Sequence, residues 1–285
     1  MLSRRVFLRT LAVSALAGKA KRALSSGGRI RVGVCALPSD LDQLERLGFD
    51  YLEPPAVEVA SMTEAEFKAF KARVAASRLG CRSFNSFIRT LRVVGPDLSL
   101  PALEAYLDTC LPRCRELGGE IIVWGSASSR NVPDGYPRDR AWAEIVQFLR
   151  MAGDAARPHQ LVIAIEPLSH PESNIVNTAG EALHLVRDVG HPNVRMIVDY
   201  YHLRRENEDP EIIDRARNAI VHFHFANPQG RRWPKSPRED AEYLRFFQLL
   251  KDIGYHGGIS IEGKGSLEQD GQASLDFFRK ELEVV

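Results

Sequence analysis

Three acids and one histidine, Glu166, Asp199, His224 and Glu262, are the residues best placed to do chemistry. Each acid closes a run of apolar residues: LVIAIE ends on Glu166, VRMIVD on Asp199 and GGISIE on Glu262. A carboxylate at the end of a buried strand is costly unless it is paired or metal-bound, so three in equivalent places call for a common cause. A fourth run, AIVHFHF, supplies nitrogen. His222 and His224 are two residues apart, so on a strand both face one way, with His224 nearer the C-terminal end. His222 is expected to be a satisfied core histidine and His224 the ligand. Three carboxylates and one imidazole make a hard, oxygen-rich donor set, suited to Mn2+, Mg2+ or Co2+ and tolerable to Zn2+. One divalent metal ion, Mn2+ foremost, is therefore the expected cofactor. Around a dication the three acids leave the site near minus one, which suits a neutral polyol or ketose chelating through vicinal oxygens at open coordination positions.

The elements that must position these groups are eight short strand candidates alternating with longer amphipathic stretches from Arg29 onward. The strands are RIRVGVC, FDYLE, CRSFN, EIIVW, LVIAIE, VRMIVD, AIVHFHF and GGISIE. Such nearly continuous apolar runs mark strands buried on both faces, as parallel strands beneath helices are. Thr63 with Glu66 and Thr178 with Glu181 fit capping boxes, and Gly48, Gly80, Gly118 and Gly190 follow helical runs where a left-handed closing residue is wanted. Eight units without a linker predict a single-domain α/β protein, a (β/α)8 TIM barrel over residues 29–285, with a doubly wound open sheet as the alternative. In a barrel, reactive side chains gather at the C-terminal ends of strands. The acids fit, and Glu53, Asn85 and Trp124 occupy the equivalent places after the second, third and fourth strands and are expected to line the pocket.

Composition narrows the partners. Of 285 residues 44% are hydrophobic and 26% charged, ordinary for a chain that buries a large core. Lys plus Arg number 38 against 37 for Asp plus Glu, so no net field draws in nucleic acid or anionic lipid, and a small neutral ligand fits better. Cys35, Cys81, Cys110 and Cys114 show no C-x-x-C spacing and are expected to be buried small hydrophobes. The first 28 residues stand apart. SRRVFLR and the apolar run LAVSALAG resemble a twin-arginine export signal, too short to span a bilayer. That implies a periplasmic protein without a membrane span once processed, exported folded with its metal already chosen in the cytoplasm. A homo-oligomer is an open expectation, with no residues to mark an interface.

The strings IEPLSHPESNIVNT, VDYYH, HFHFAN and SIEGK, in this order, resemble the xylose isomerase-like barrels, particularly the sugar phosphate isomerase/epimerase and ketose 3-epimerase branch. The resemblance runs from about Arg29 to the C-terminus. It implies that Glu166, Asp199, His224 and Glu262 are the metal ligands and that Glu166 and Glu262 are also the catalytic acid/base pair. Two carboxylates flanking a bound sugar can remove a proton beside the carbonyl and return it elsewhere through an enediolate. By the same resemblance Glu172 and His202 bind substrate hydroxyls, and an arginine after His224 grips the substrate. Here NPQGRRWP departs from the family's usual acid followed by a single arginine, leaving Arg231 or Arg232 for that role.

The expected function is thus a metal-dependent sugar isomerase or epimerase. A β-eliminating lyase or glycoside-cleaving enzyme on 3-keto sugars is the near alternative, since the same acid/base pair and metal would serve it. An endonuclease IV-like nuclease needs more strand-end histidines and a basic face, and a non-catalytic sugar-binding barrel would leave Glu166 and Glu262 without a purpose.

Overall fold

A computed structural model describes residues 28–284, so the export segment assigned to residues 1–28 lies outside the described residues except for Gly28. The eight parallel strands are, in chain order, β1 (Arg31–Cys35), β2 (Tyr51–Glu53), β3 (Ser83–Phe84), β4 (Ile121–Trp124), β5 (Val162–Ile165), β6 (Val194–Asp199), β7 (Ile220–Phe225) and β8 (Gly258–Ile261). Their order around the sheet is β2-β1-β8-β7-β6-β5-β4-β3. Helices cover the outside, among them Leu100–Glu116, Arg138–Ala156, Ala179–Val189, Tyr243–Asp252 and Leu267–Val284. The result is the single-domain TIM barrel, not the open sheet.

The seam between β2 and β3 is the weakest joint, and the sequence explains it. Pro54 and Pro55 come directly after β2 and have no N–H to donate to a ladder. Closure rests on scattered bonds instead: Leu52 N–H to Gly80 O (3.1 Å), Asn85 N–H to Pro54 O (3.2 Å) and Ala56 N–H to Asn85 O (2.7 Å). Gly80 does not close a helix in the left-handed region; it has an ordinary φ and serves this seam, whereas Gly48, Gly118 and Gly190 do take positive φ. The capping boxes divide similarly. Thr63 and Glu66 cap one another, but the Glu181 carboxylate accepts from Asn177 N–H and leaves Thr178 to cap alone.

Side-chain alternation on β7 fixes what enters the barrel. Phe223 and Phe225 face outward, packing against Phe246, Tyr255 and Phe247 beneath the helices, so His222 and His224 point inward. Across the ladder His222 lies opposite Ile197 and His224 opposite Asp199. Ile121, Val123, Ala164 and Ile197 form a small apolar cluster of strand residues, separate from the main core. The barrel interior is therefore layered, apolar low down and polar toward the C-terminal mouth. Among the described residues no helix is long and apolar enough to cross a membrane.

Candidate active site

Glu166 and Glu262 each stand one residue beyond a strand, where their backbones still pair: Glu166 N–H with Trp124 O (3.2 Å) and Glu262 N–H with Phe225 O (3.0 Å). Asp199 is the last residue of β6 and caps the helix Tyr200–Arg205, its Oδ1 accepting from Tyr201 N–H at 2.8 Å. Its Oδ2 is buried with no hydrogen-bond partner. His224 Nδ1 lies 2.9 Å from Glu166 Oε1 and 3.5 Å from Glu262 Oε2. Glu166, Asp199, His224 and Glu262 offer ligand atoms all within 4.8 Å of one another. Three carboxylates and an imidazole converging at this spacing, one carboxylate oxygen orphaned, form a donor set that fits a hard divalent cation.

Beneath this set lies a second polar layer centred on Glu53. Its carboxylate, fully buried, meets His224 Nε2 at Oε1 (2.8 Å), and at Oε2 meets His222 Nε2 (2.8 Å) and the hydroxyls of Ser83 and Ser260 (2.5 Å each). Burial alone would raise the Glu53 carboxyl, but the adjoining His224 and His222 imidazoles outweigh it and hold Glu53 well below the usual range. Glu53 therefore does not line the pocket, contrary to expectation. It fixes the His224 Nε2 proton and leaves Nδ1 turned to the acids, the carboxylate–histidine arrangement that orients metal ligands. His222 is a core histidine as expected, though its Nδ1 has no partner.

Burial shapes the titration of the upper groups as well. It raises Asp199 to about 7, with Glu262 and Glu166 adding to the rise against Arg231 and His224. Glu166 is also raised, by burial first. Glu262 goes the other way, to about 2: burial would raise it, but the Arg231 guanidinium and the His224 imidazole beside it together outweigh burial. His224, despite burial, is held well above its ordinary value by Cys35, Glu53 and Glu166. Cys35 is the one cysteine that departs from expectation: it is only half-buried, its Sγ 3.8 Å from His224 Nε2, while Cys81, Cys110 and Cys114 are buried, and all four are free thiols.

The remaining site residues divide. Arg231, not Arg232, enters the site: its guanidinium sits 2.5 Å from Glu262 Oε2, 3.2 Å from Glu172 Oε1 and 4.8 Å above the Tyr201 ring. Arg232 instead pairs its backbone with Asn227 and sends its side chain to Gln229 O. Glu172 and Arg231 line a cavity of about 280 Å³ together with Glu166 and Glu262. His202 stands behind them, 1% exposed, with Nε2 3.6 Å from Asp199 and 3.9 Å from Glu172. Its Nδ1 accepts from Ser169 N–H (3.0 Å), so Nε2 carries the proton, and burial with Arg231 nearby depresses the ring to about 3.

Asn85 and Trp124, expected as substrate contacts, lie outside the cavity lining. Asn85 donates to Glu53 O (3.0 Å) and closes the β2–β3 seam. Trp124 is fully buried, packed on Phe148 and donating to Ser129 Oγ, because its side chain alternates to the helix-covered face of β4. Two supports carried no sequence signal. Arg130, fully buried, donates to Trp124 O (3.1 Å) and Glu166 O (2.8 Å) and clamps the ends of β4 and β5. Gly125 makes room for a carboxylate: a Cβ there would lie 1.7 Å from Glu166 Oε2.

A parallel eight-stranded barrel with an acid-and-histidine cluster at its C-terminal mouth defines the class as a TIM barrel with a built polar site. The chain belongs to the xylose isomerase-like TIM barrel family, whose profile matches residues 41–281. It is similar to D-psicose 3-epimerase of Agrobacterium fabrum, 25% identical over 228 residues that cover 78% of this chain and 77% of the relative. It is also similar to 3-dehydro-D-guloside 4-epimerase of Escherichia coli, 25% identical over 244 residues, 82% of this chain and 89% of the relative. Among solved structures, 3-keto-D-glucoside 4-epimerase from E. coli shares the fold at a TM-score of 0.75 and 21% identity, covering 90% of this chain and all of that one. Its homologues are sugar epimerases and isomerases, which makes an isomerase or epimerase the activity class of the group.

Proposed function

We propose that this protein is a divalent-metal-dependent epimerase or isomerase of keto-sugars, with Glu166 and Glu262 as the proton-transferring pair. The observation that carries the reading is their placement. Glu166 follows β5 and Glu262 follows β8, both bordering one cavity and both within 3.5 Å of His224 Nδ1. Carboxylates on two sides of one small space can take a proton from a carbon beside a carbonyl and return it to another face or another carbon. Glu166, Asp199, His224 and Glu262 would hold the ion, Mn2+ in first place. Bound there, it would supply Lewis-acid polarisation of the substrate's oxygens. Glu172 is positioned to accept from a substrate hydroxyl, and Arg231, which also borders the cavity, anchors Glu172 and Glu262 in their orientations.

The similarity to D-psicose 3-epimerase and 3-dehydro-D-guloside 4-epimerase supports proton transfer over elimination and favours a ketose or 3-keto-glycoside as substrate. The twin-arginine-type segment supports export, and with it an unphosphorylated sugar met in the periplasm. Incubating Mn2+-loaded protein with free ketoses and 3-keto-glycosides in deuterated water tests the chemistry. Deuterium should enter beside the carbonyl, and Glu262→Gln should abolish that entry more completely than it weakens Mn2+ binding. Wild-type exchange in Glu262→Gln would remove it from the mechanism.

A further inference from the structure

The cavity has two chemically distinct walls. One carries Glu166, Glu172 and Glu262 with Arg231, which is already committed to Glu172 and Glu262. The other is built by the loops after β3 and β4 and carries Ser86, Arg89 and Ser126. Among the described residues Arg89 forms an ion pair with no carboxylate; its one side-chain partner is Ser86 Oγ at 3.2 Å. Ser86 Oγ accepts from Arg89 and Ser126 Oγ accepts from Ile88 N–H (3.0 Å), so each hydroxyl proton is left to donate. A guanidinium has five donors and no acceptor, so this wall offers donors in excess.

The wall is also held firm. Ser128 Oγ donates to Arg89 O (3.0 Å), Val93 N–H donates to Ser129 O (2.8 Å), and the Arg92 guanidinium binds the Ser128 and Asn131 carbonyls. Ser86 is kept at φ 47°, a conformation a non-glycine residue holds only where its surroundings impose it. The Arg89 backbone is thus fixed while its charge stays uncommitted. Charge decides the orientation of any ligand. Glu166, Asp199, Glu262 and Glu172 against Arg231 and a dication leave the opposite wall near minus one, so an anionic group can sit only at the Arg89 end.

Resting on the proposed keto-sugar chemistry, we propose that Arg89, with Ser86 and Ser126, forms a subsite for a carboxylate at the end of the substrate remote from the reacting carbonyl. The substrate class is then a keto-sugar acid. A carboxylate accepts two parallel guanidinium bonds and the hydroxyl protons together, whereas a neutral hydroxyl answers one donor at a time.

Three sugars differing only at C6 test the assignment on the full-length, Mn2+-loaded protein: D-fructose, D-fructuronate and D-fructose 6-phosphate. Deuterium exchange should show D-fructuronate preferred over D-fructose by roughly 10- to 100-fold in kcat/KM. In Arg89→Met that ratio should fall to about one, and Arg89→Lys should restore part of it. Equal wild-type rates for the acid and the ketose, a preference that survives Arg89→Met, or a preference for the phosphate over the carboxylate would each overturn the subsite. Exchange with none of the three would instead count against the proton-transfer chemistry. In that case, calorimetric binding of D-fructuronate decides the subsite: binding that Arg89→Met abolishes supports it, and its absence in the wild type overturns it.

Discussion

Glu53→Gln should damage the proposed metal site without touching any of its four proposed ligands. The glutamine keeps the volume of the buried side chain but replaces one acceptor oxygen with a donating NH2, facing four donors at 2.5–2.8 Å. If the amide nitrogen meets His224 Nε2, the ring must shift its proton to Nδ1, the atom that faces Glu166 and Glu262. The lone pair a metal needs is then gone. If it meets the His222 side, two serine hydroxyls and an imidazole lose their acceptor inside the barrel. Breaking a buried, paired charge costs about 3–5 kcal/mol, which for a chain of this size lowers the melting temperature by roughly 6–20 °C. Loss of a supporting carboxylate typically weakens metal binding by about 10- to 100-fold. Calorimetric Mn2+ titration and thermal melting, with and without Mn2+, read both effects. A variant that binds Mn2+ within twofold of wild type would refute the role assigned to Glu53, whatever its melting temperature.

Gly125→Ala should leave the fold intact, since the backbone there is ordinary, yet push Glu166 aside and cut deuterium exchange by about 100-fold; exchange near the wild-type rate would show that Glu166 has room to spare. Arg130→Met should leave the Glu166 carbonyl unanswered in the interior and the Trp124 carbonyl with only the Glu166 N–H, and cost about 2–4 kcal/mol by denaturant unfolding, with Mn2+ affinity falling in parallel. Unchanged stability would mean that these carbonyls find other donors. Metal affinity should also depend on pH. Asp199 is raised to about 7 and His224 is held well above its usual value, so both retain protons that a ligand must give up. Protons compete with the ion below these values, so Mn2+ binding should tighten about tenfold or more from pH 6 to pH 8, with proton release seen as buffer-dependent heat. Affinity constant over that range would contradict the assigned ligands.

The mouth of the barrel is legible in the sequence because it violates the pattern around it. Glu166, Asp199 and Glu262 are charges where apolar strands end, and the two-residue spacing of His222 and His224 shows which way both face. The layer beneath is not legible, because Glu53, Ser83 and Ser260 look from sequence like one more strand-end acid and two small strand residues. Only closure of the barrel brings residues about 30 and 207 positions apart onto one carboxylate. Trp124 and Asn85 escape prediction for a related reason. Position at a strand end says how far up the barrel a residue lies, while the side-chain alternation of a four- or two-residue strand, which decides inside from outside, is too short to read. Gly125 carries no signal at all, since what it accommodates is contributed by the neighbouring strand.

Backbone geometry settles the choice between the two adjacent arginines that composition leaves open, and their placement bears on metal entry. Asn227 bridges Arg232 in antiparallel fashion and Arg232 bridges Lys264 in parallel, which pins the loop so that Arg231, at φ 54°, turns its guanidinium over Tyr201 and onto Glu262. Four carboxylates are then balanced by Arg231 and by protons held on Asp199 and His224. A dication entering this cluster can displace the protons at modest cost, because burial already makes them the adjustable part of the balance. Displacing Arg231 would instead strip Glu172 and Glu262 of their shared anchor. The ion and the guanidinium should therefore coexist, with protons leaving as the ion arrives, and Arg231→Met should weaken the positioning of Glu262 without freeing a better metal site.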